Sequence, residues 1–325
     1  MDLAITLGTS NTVIMRRGHG IVLNQATTIA YTRDRKGKTR IVAVGDDAKR
    51  MIGKAAPEVI LCNPVSNGRI VDLDAARLLM REFSKTIGTR RSALFTRISS
   101  LTQSELDMFK ATAYGAYYHV EFVPATVAAA INAGYSPVDA TSCLTVLITD
   151  DAVDINVLSF GAIVHGGTIN QGVAMMTDTL SASIKKKHNI IISRKNAEDA
   201  MTECATLLLN DKTEFIIEGI EPETNIAREI ILTGDDCREV LTPIYEKIVK
   251  GIKSVLAECS PDILSDIRHG NFLIGGSGAQ LRGLPEFIIR ELDINPEIIP
   301  VNAATLGAGK LLHNPALLKK IITAN

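Results

Sequence analysis

β-rich stretches and helical patterns alternate along the first 140 residues. LAITL and HVEFV contain the β-branched and apolar residues typical of strands, whereas residues 74–87 repeat apolar side chains at helical spacing. Thr102 and Glu105 have the spacing of a capping box, which predicts that a helix begins directly after Thr102. Alternating strands and helices predict an α/β fold.

The second half of the chain repeats this order, so the fold is predicted to be duplicated. CLTVLIT and DINVLSF are predicted strands on either side of a polar turn at Asp150 and Asp151. Between about residues 175 and 256 the pattern is mostly helical, with one extended interruption at EFIIEGI. With 325 residues the chain is long enough for two domains, each with its own core.

Composition and charge narrow the range of functions. Hydrophobic residues make up 46% of the chain and charged residues 22%, which is ordinary for a globular protein. Because 35 Lys and Arg face 36 Asp and Glu, no broad positive field is available for nucleic acid, which is excluded as a main partner. A net charge near zero permits self-association. The basic run at residues 33–38 is interpreted as a solvated hairpin loop.

The cysteines and the apolar runs bear on localisation. The five cysteines are scattered, without metal-ligand spacing, and are predicted to be reduced thiols. No charged and apolar leader precedes the first predicted strand, and no apolar run reaches 18 residues. We therefore expect a cytoplasmic protein.

Two glycine-containing turns are candidate ligand sites. Residues 8–11, Gly-Thr-Ser-Asn, form either a turn that cradles phosphates or an ordinary polar hairpin, and the turn alone does not decide between them. Gly275 and Gly276 follow the predicted strand NFLIGG. They allow either close approach to a ligand or a tight strand-to-helix turn.

The order of these segments resembles the MreB family, the bacterial relatives of actin, over nearly the whole chain. LGTSNT is similar to the family's first phosphate loop and VAVGDDAKRMIGK to the next strand and helix. IGGSGAQLRGL is similar to its adenosine-contacting loop. The resemblance implies an actin-like, ribonuclease H-like duplicated fold of two domains, each with a mixed sheet flanked by helices and a smaller subdomain. It also implies ATP or ADP with magnesium as the ligand. The implied nucleotide-binding residues are Gly8, Thr9, Ser10, Asn11, Glu203, Gly275, Gly276, Ser277 and Gly278.

The resemblance also implies the domain boundaries. Domain I is expected at 1–140, with subdomain IA at 1–32 and 74–140 and subdomain IB at 33–73. Domain II is expected at 141–325, with subdomain IIA at 141–180 and 246–310 and subdomain IIB at 181–245. The C-terminal helix, 311–325, is a candidate to pack back on domain I.

The sequence departs from the family pattern at the chemistry. Thr6 stands where the family has an acid that helps to place the metal, and residues 124–127 have no carboxylate to orient water. Residues 147–153 lack the glycines of the second phosphate loop, and Asp150 and Asp151 place like charges against a polyphosphate. A magnesium ion could offset that repulsion, so these two aspartates are the candidate metal ligands.

A further departure is the acidic pair that the family has after the glycine of GGTINQG, which is replaced by Val173 and Met176. The adenosine side is better kept: Met201 replaces a purine-side lysine, but Glu203 remains. No catalytic residue is assigned. We therefore predict that ATP hydrolysis is weakened or lost, and that nucleotide binding is at best weak.

Two function classes follow. The resemblance implies a cytoskeletal protein that forms actin-like filaments, acts in cell shape and positions cell-wall synthesis, with membrane association left open. Its implied partners are copies of itself, or an active MreB paralogue, and inner-membrane morphogenesis proteins. The alternative is a small-molecule kinase or other ATPase of the same superfamily, which needs a general base and intact phosphate loops.

Overall fold

The computed structural model describes residues 1–88 and 91–325. Its contacts divide the chain into two units. Unit 1 contains residues 1–141, 158–164 and 302–325, and unit 2 contains residues 142–157 and 165–301.

The strands and helices are as follows in chain order. The strands are β1 (Leu3–Leu7), β2 (Asn11–Arg16), β3 (Gly20–Ala26), β4 (Ile29–Arg33), β5 (Thr39–Val44), β6 (Ile60–Cys62), β7 (Val65–Ser66), β8 (Arg69–Ile70), β9 (Ser92–Arg97), β10 (His119–Pro124), β11 (Cys143–Ile148), β12 (Val153–Ser159), β13 (Ala162–Ile169), β14 (Glu214–Ile220), β15 (Ala227–Thr233), β16 (Phe272–Gly275) and β17 (Glu297–Ile298). The helices are α1 (Asp46–Arg50), α2 (Leu73–Ile87), α3 (Gln103–Ala113), α4 (Ala125–Ala133), α5 (Val173–His188), α6 (Arg194–Glu203), α7 (Gly234–Leu256), α8 (Pro261–Arg268), α9 (Leu284–Leu292), α10 (Ala303–Leu311) and α11 (Pro315–Ala324).

Each unit is built on a five-stranded mixed sheet, and the two sheets have the same order. In unit 1 the order is β10-β9-β1-β2-β3. In the second sheet, read from the corresponding edge, it is β17-β16-β11-β12-β13. The β1–β2 pair is antiparallel, whereas β1–β9 and β9–β10 are parallel. The pairs β11–β16 and β16–β17 are likewise parallel. This repeated topology confirms the predicted duplication.

Small sheets accompany the large ones. In unit 1 the β5-β4-β6 sheet and the β7-β8 pair lie between β3 and α2 in the sequence. In unit 2 the β14-β15 hairpin stands between α6 and α7. The predicted extended interruption at EFIIEGI is confirmed as β14. The sequence did not predict β15, because Ile230, Ile231 and Leu232 are consecutive apolar residues and hide the alternation of buried and exposed positions in this strand.

The core of unit 1 is centred on aromatic side chains. The ring of Phe95 meets those of Phe109 and Tyr117 edge to face, with centroids 5.1 and 5.5 Å apart. Such contacts stabilise beyond the area that they bury. These contacts join β9 to α3 and to the turn after α3, so they hold β9 in place beside β1. The predicted capping box of α3 is confirmed, because Thr102 and Glu105 exchange both hydrogen bonds.

The observed division differs from the predicted boundaries at residues 158–164 and 302–310, which were assigned to the second domain and lie in unit 1. Residues 302–310 lie there because α10 packs closely on α4. A Cβ atom at Gly307 would lie 1.7 Å from the carbonyl oxygen of Ala128, so only glycine permits this approach. The C-terminal residues 311–325 also lie in unit 1. The finer subdomain boundaries stay predictions.

No helix within residues 1–88 and 91–325 is both long enough and apolar enough to cross a membrane.

Candidate functional site

The turn after β1 has the geometry of a tight, internally bonded hairpin. The N–H of Gly8 donates to the carbonyl of Asn11 at 3.1 Å, and a Cβ atom at Gly8 would lie 2.9 Å from that oxygen. The N–H of Thr27 donates to the carbonyl of Ser10 at 2.8 Å. The glycine is therefore required by the turn itself. The side chains of Thr9 and Ser10 are half-buried and that of Asn11 is exposed.

A layer of polar side chains supports this turn. The hydroxyl groups of Thr12 and Thr27 lie 2.8 Å apart in a buried position. Thr28 donates to the Oδ1 atom of Asn63 at 2.8 Å, and the Nδ2 atom of Asn63 lies 3.4 Å from the carbonyl of Thr9. The turn is thus tied to two later segments of unit 1, which limits its freedom to rearrange around a ligand.

Thr6 belongs to a cluster of three hydroxyl groups. Its Oγ1 atom lies 2.8 Å from that of Thr96 and 2.6 Å from that of Thr305. The cluster joins β1, β9 and α10, and Thr305 is buried. The Thr6 hydroxyl is therefore already engaged twice, in a neutral setting. Nothing in the sequence links these positions, because Thr96 and Thr305 lie 90 and 299 residues from Thr6.

In unit 2 the turn between β11 and β12 is closed by Thr149. Its N–H and its hydroxyl donate to the carbonyl of Ala152 at 2.9 and 2.8 Å. The hydroxyl of Ser277 donates to the Asp150 carboxylate at 3.0 Å. The structure therefore brings together two sequence-predicted positions, Asp150 and Ser277, although 127 residues separate them.

The same turn occupies the N-terminal amides of α5. The N–H of Val173 donates to the carbonyl of Thr149 at 3.0 Å, and that of Ala174 donates to the carbonyl of Asp150 at 2.7 Å. A Cβ atom at Gly172 would lie 2.4 Å from the Thr149 oxygen, so glycine is required here too. A helix N-terminus is ordinarily a ready site for phosphate. Here these two amides already have partners.

Three glycines, at the end of β16 and directly after it, leave no room for a Cβ atom. A Cβ atom at Gly276 (φ +89°) would lie 2.3 Å from the carbonyl oxygen of Ile148, and one at Gly278 would lie 2.2 Å from the Cγ2 atom of the same residue. At Gly275 it would meet Ile299 at 2.7 Å. Geometry alone therefore accounts for these glycines. The buried hydroxyl of Tyr245 donates to the carbonyl of Gly278 at 2.7 Å and was not identified from the sequence.

Glu203 is the last residue of α6, and its side chain is exposed. The Arg282 guanidinium donates to the carbonyl of Cys204 at 3.1 Å, and the backbone carbonyl of Arg282 accepts from the N–H of Leu207 at 2.8 Å. The segment that follows Glu203 is therefore hydrogen-bonded to the segment that follows Gly278. Met201 packs against the hydrophobic core of the unit, as its side chain would predict.

The donor set fits a metal ion poorly. Over residues 1–88 and 91–325 no group of three or more His, Cys, Asp or Glu side chains could hold a metal. Asp150 and Asp151 therefore belong to no such group among these residues. Hard cations such as magnesium are bound by several converging oxygens, usually including carboxylates.

Comparison with known proteins gives a consistent result. The sequence model of the family described as MreB/Mbl protein matches residues 1–320. The cell shape-determining protein Mbl of Bacillus subtilis (strain 168) is 28% identical, over 98% of this chain and 98% of that protein.

Solved structures agree with the sequence comparison. MreB 5 of Spiroplasma citri, bound to AMPPNP, superposes with a TM-score of 0.89 over 99% of this chain and 98% of that one, at 22% identity. The MamK double helical filament matches with a TM-score of 0.81 over 96% of this chain and 98% of that one, at 16% identity. The fold is actin-like, as predicted.

Proposed function

The chain belongs to the MreB/Mbl family, and on that premise we propose that it is a filament-forming subunit that acts in cell shape. The observation that carries the proposal is that a family match over residues 1–320 coincides with an actin-like fold across the whole chain. The structural relative MamK forms a double helical filament, which supports self-assembly as the property carried by this fold. In the cell, such a filament would position cell-wall synthesis.

We propose nucleotide-contacting residues for each unit by itself. In unit 1 they are Gly8, Thr9, Ser10 and Asn11. In unit 2 they are Glu203, Gly275, Gly276, Ser277 and Gly278. A relative of the same fold binds AMPPNP, which supports ATP or ADP as the ligand.

We also propose that hydrolysis is weakened or lost. The Thr6 hydroxyl is bonded to Thr96 and Thr305 and provides no charge. The first turn of α4 contains no acidic residue. Without a group that polarises the attacking water, the rate falls by about a hundredfold to ten-thousandfold. Slow hydrolysis would make the filaments persistent.

The filament proposal is tested by sedimentation with electron microscopy. Purified chain is centrifuged with and without ATP over a range of concentrations, and the pellets are imaged. We expect filaments above a threshold concentration. A chain that stays in the supernatant throughout, and that phosphorylates a small molecule, would favour the kinase alternative.

The nucleotide proposal is tested by calorimetry and by phosphate release. We expect weak ATP binding and little phosphate release, whereas sub-micromolar binding with rapid release would refute the loss of hydrolysis. Asp150→Asn keeps an acceptor for the Ser277 hydroxyl but removes a negative charge. If phosphates lie near Asp150, this variant should bind ATP roughly tenfold tighter, given about 1–4 kcal/mol of repulsion per charge pair. Asp139→Asn, at an exposed turn, is the matched control.

Partners and location complete the proposal. We propose that the chain is cytoplasmic and assembles with itself or with an active MreB paralogue, in contact with inner-membrane morphogenesis proteins. Co-sedimentation of the chain with a separately purified family member that hydrolyses ATP tests the paralogue. Equal pelleting of the two proteins alone and together would contradict co-assembly.

A further inference from the structure

Charge is segregated on this chain although the net charge is only −1. Residues 33–40, here called the basic tip, hold five cations and one carboxylate, a net charge of +4. Residues 214–229, here called the acidic hairpin, hold five carboxylates and one cation, a net charge of −4. We propose that the basic tip of one copy docks on the acidic hairpin of a second copy. This contact rests on the proposed self-association and specifies one of its surfaces.

The basic tip is a preformed turn. The Asp34 carboxylate accepts from the N–H of Lys36 at 2.9 Å and from the N–H of Lys38 at 2.8 Å. The N–H of Asp34 donates to the carbonyl of Lys38 at 3.1 Å. The one carboxylate of the segment therefore holds the turn together. Because the turn is already ordered, little conformational entropy is lost when a partner binds it.

The cations of the tip are available to a partner. Arg35, Lys36, Lys38 and Arg40 are exposed, and none of them takes part in an ion pair formed among residues 1–88 and 91–325. Arg33 differs, since it lies 3.8 Å from Asp74. Four of the five cations are thus left for contacts outside the subunit.

The acidic hairpin holds a pair of like charges. Glu218 lies directly opposite Glu229 in the β14–β15 register, and both side chains are exposed. Like charges directly opposite each other destabilise an antiparallel pair. Neither glutamate forms an ion pair with another described residue. A cationic partner would remove this repulsion.

Apolar side chains lie beside these carboxylates. Ile216 is 65% exposed and Ile231 is 55% exposed, and they are opposite each other, next to the glutamate pair on the same face. On the basic side, β5 exposes Arg40 and, two residues further on, Val42 at 46%. Each surface therefore combines charge with an apolar side chain, and the charges are opposite.

A second copy explains both surfaces together. An anionic lipid surface would attract the basic tip but would leave the acidic hairpin without a partner and would repel it. Opposite charges across an interface accelerate association and fix its register, and their effect falls as salt is added. We therefore expect self-association to weaken when the salt concentration rises from 50 to about 500 mM.

The test reverses the charge of each surface separately. The tip-reversed variant is R35E/K36E/K38E/R40E, and the hairpin-reversed variant is E214K/E218K/E223K/E229K. Alone, each presents two surfaces of the same sign and should need at least about tenfold more protein to sediment than wild type. In an equimolar mixture each surface meets an opposite one in the alternate subunit, so assembly should return to within about twofold of wild type. The chain carrying all eight changes is the matched control and should assemble alone.

The possible outcomes separate a failure of this contact from a failure of filament formation. If wild type assembles and both reversed variants sediment at the wild-type threshold, this contact is wrong while filament formation stands. If each variant fails alone and the mixture also fails, the partner surface is not on a second copy, and the inference is overturned. Loss of binding to phosphatidylserine-containing vesicles by the tip-reversed variant, with normal assembly, would assign the tip to a membrane instead. A wild-type chain that stays monomeric at every salt and protein concentration refutes the proposed self-association itself.

Discussion

Tyr245→Phe removes a single oxygen atom from the support of the glycine loop. The Tyr245 side chain is almost fully buried, and its hydroxyl donates to the carbonyl of Gly278, which is buried as well. Phenylalanine keeps the ring, so no cavity forms. The cost is that of leaving a buried carbonyl without this donor, about 1–3 kcal/mol.

Local hydrogen exchange measures this cost where it arises. Amides at residues 276–280 should exchange roughly 5- to 160-fold faster in Tyr245→Phe, because a loss of about 1–3 kcal/mol changes an opening equilibrium by that factor. Tyr118→Phe is the matched control, since it removes the same atom from a side chain that is 55% exposed. Its effect on stability should stay within about 0.5 kcal/mol.

The two variants refute the reasoning if they behave alike. Equal exchange rates at residues 276–280 would mean that the Tyr245 hydroxyl does not hold the loop. A tighter ATP affinity in Tyr245→Phe would mean that the hydroxyl holds the loop in a form that opposes binding. Burial raises the pKa of the Tyr245 phenol, so the hydroxyl remains a donor throughout the neutral range.

Two further changes test the packing of α10 and the start of α7. Gly307→Ala should destabilise unit 1 by about 3 kcal/mol or more, because the new Cβ atom collides with the backbone of Ala128, and a thermal melt of the variant checks this. Burial disfavours the ionised form of Asp236, but hydrogen bonds from Lys187 and Thr233 outweigh it and lower the carboxyl pKa below 3.8. A lowered pKa stabilises the fold above the unfolded value and is lost as the pH falls through the folded value. Asp236→Asn should therefore lower the melting temperature by about 2–4 °C at pH 7, and the gap from wild type should close below about pH 4; a constant gap would contradict the charge-based contribution.

Local sequence signals identified much of the fold. Thr102 and Glu105 predicted the start of α3 because a capping box requires only residues three positions apart. The strand at HVEFV was predicted from its β-branched and apolar residues, and it is observed within β10. The family resemblance added the connectivity, which local patterns do not contain.

For the candidate site, the sequence showed which residues depart from the family pattern, and the structure showed what those residues contact. The departures at Thr6, Asp150 and residues 124–127 could be identified from the sequence, since each is a missing or added charge. Their consequences could not. The Thr6 hydroxyl is occupied by Thr96 and Thr305, and the Asp150 carboxylate accepts from Ser277. These contacts join positions about 90 to 299 residues apart, so they exist only after the strands have paired.

The sequence by itself determined the class of fold, its duplication and the positions of altered charge, because periodicity, propensity and residue type act over a few neighbours. The tertiary structure alone decided that residues 302–310 pack in unit 1, that Gly276 and Gly278 must leave room for Ile148, and that Gly275 must leave room for Ile299. Close packing of backbone on backbone depends on what lies across the sheet or the helix pair. Spacing along the chain does not encode that distance.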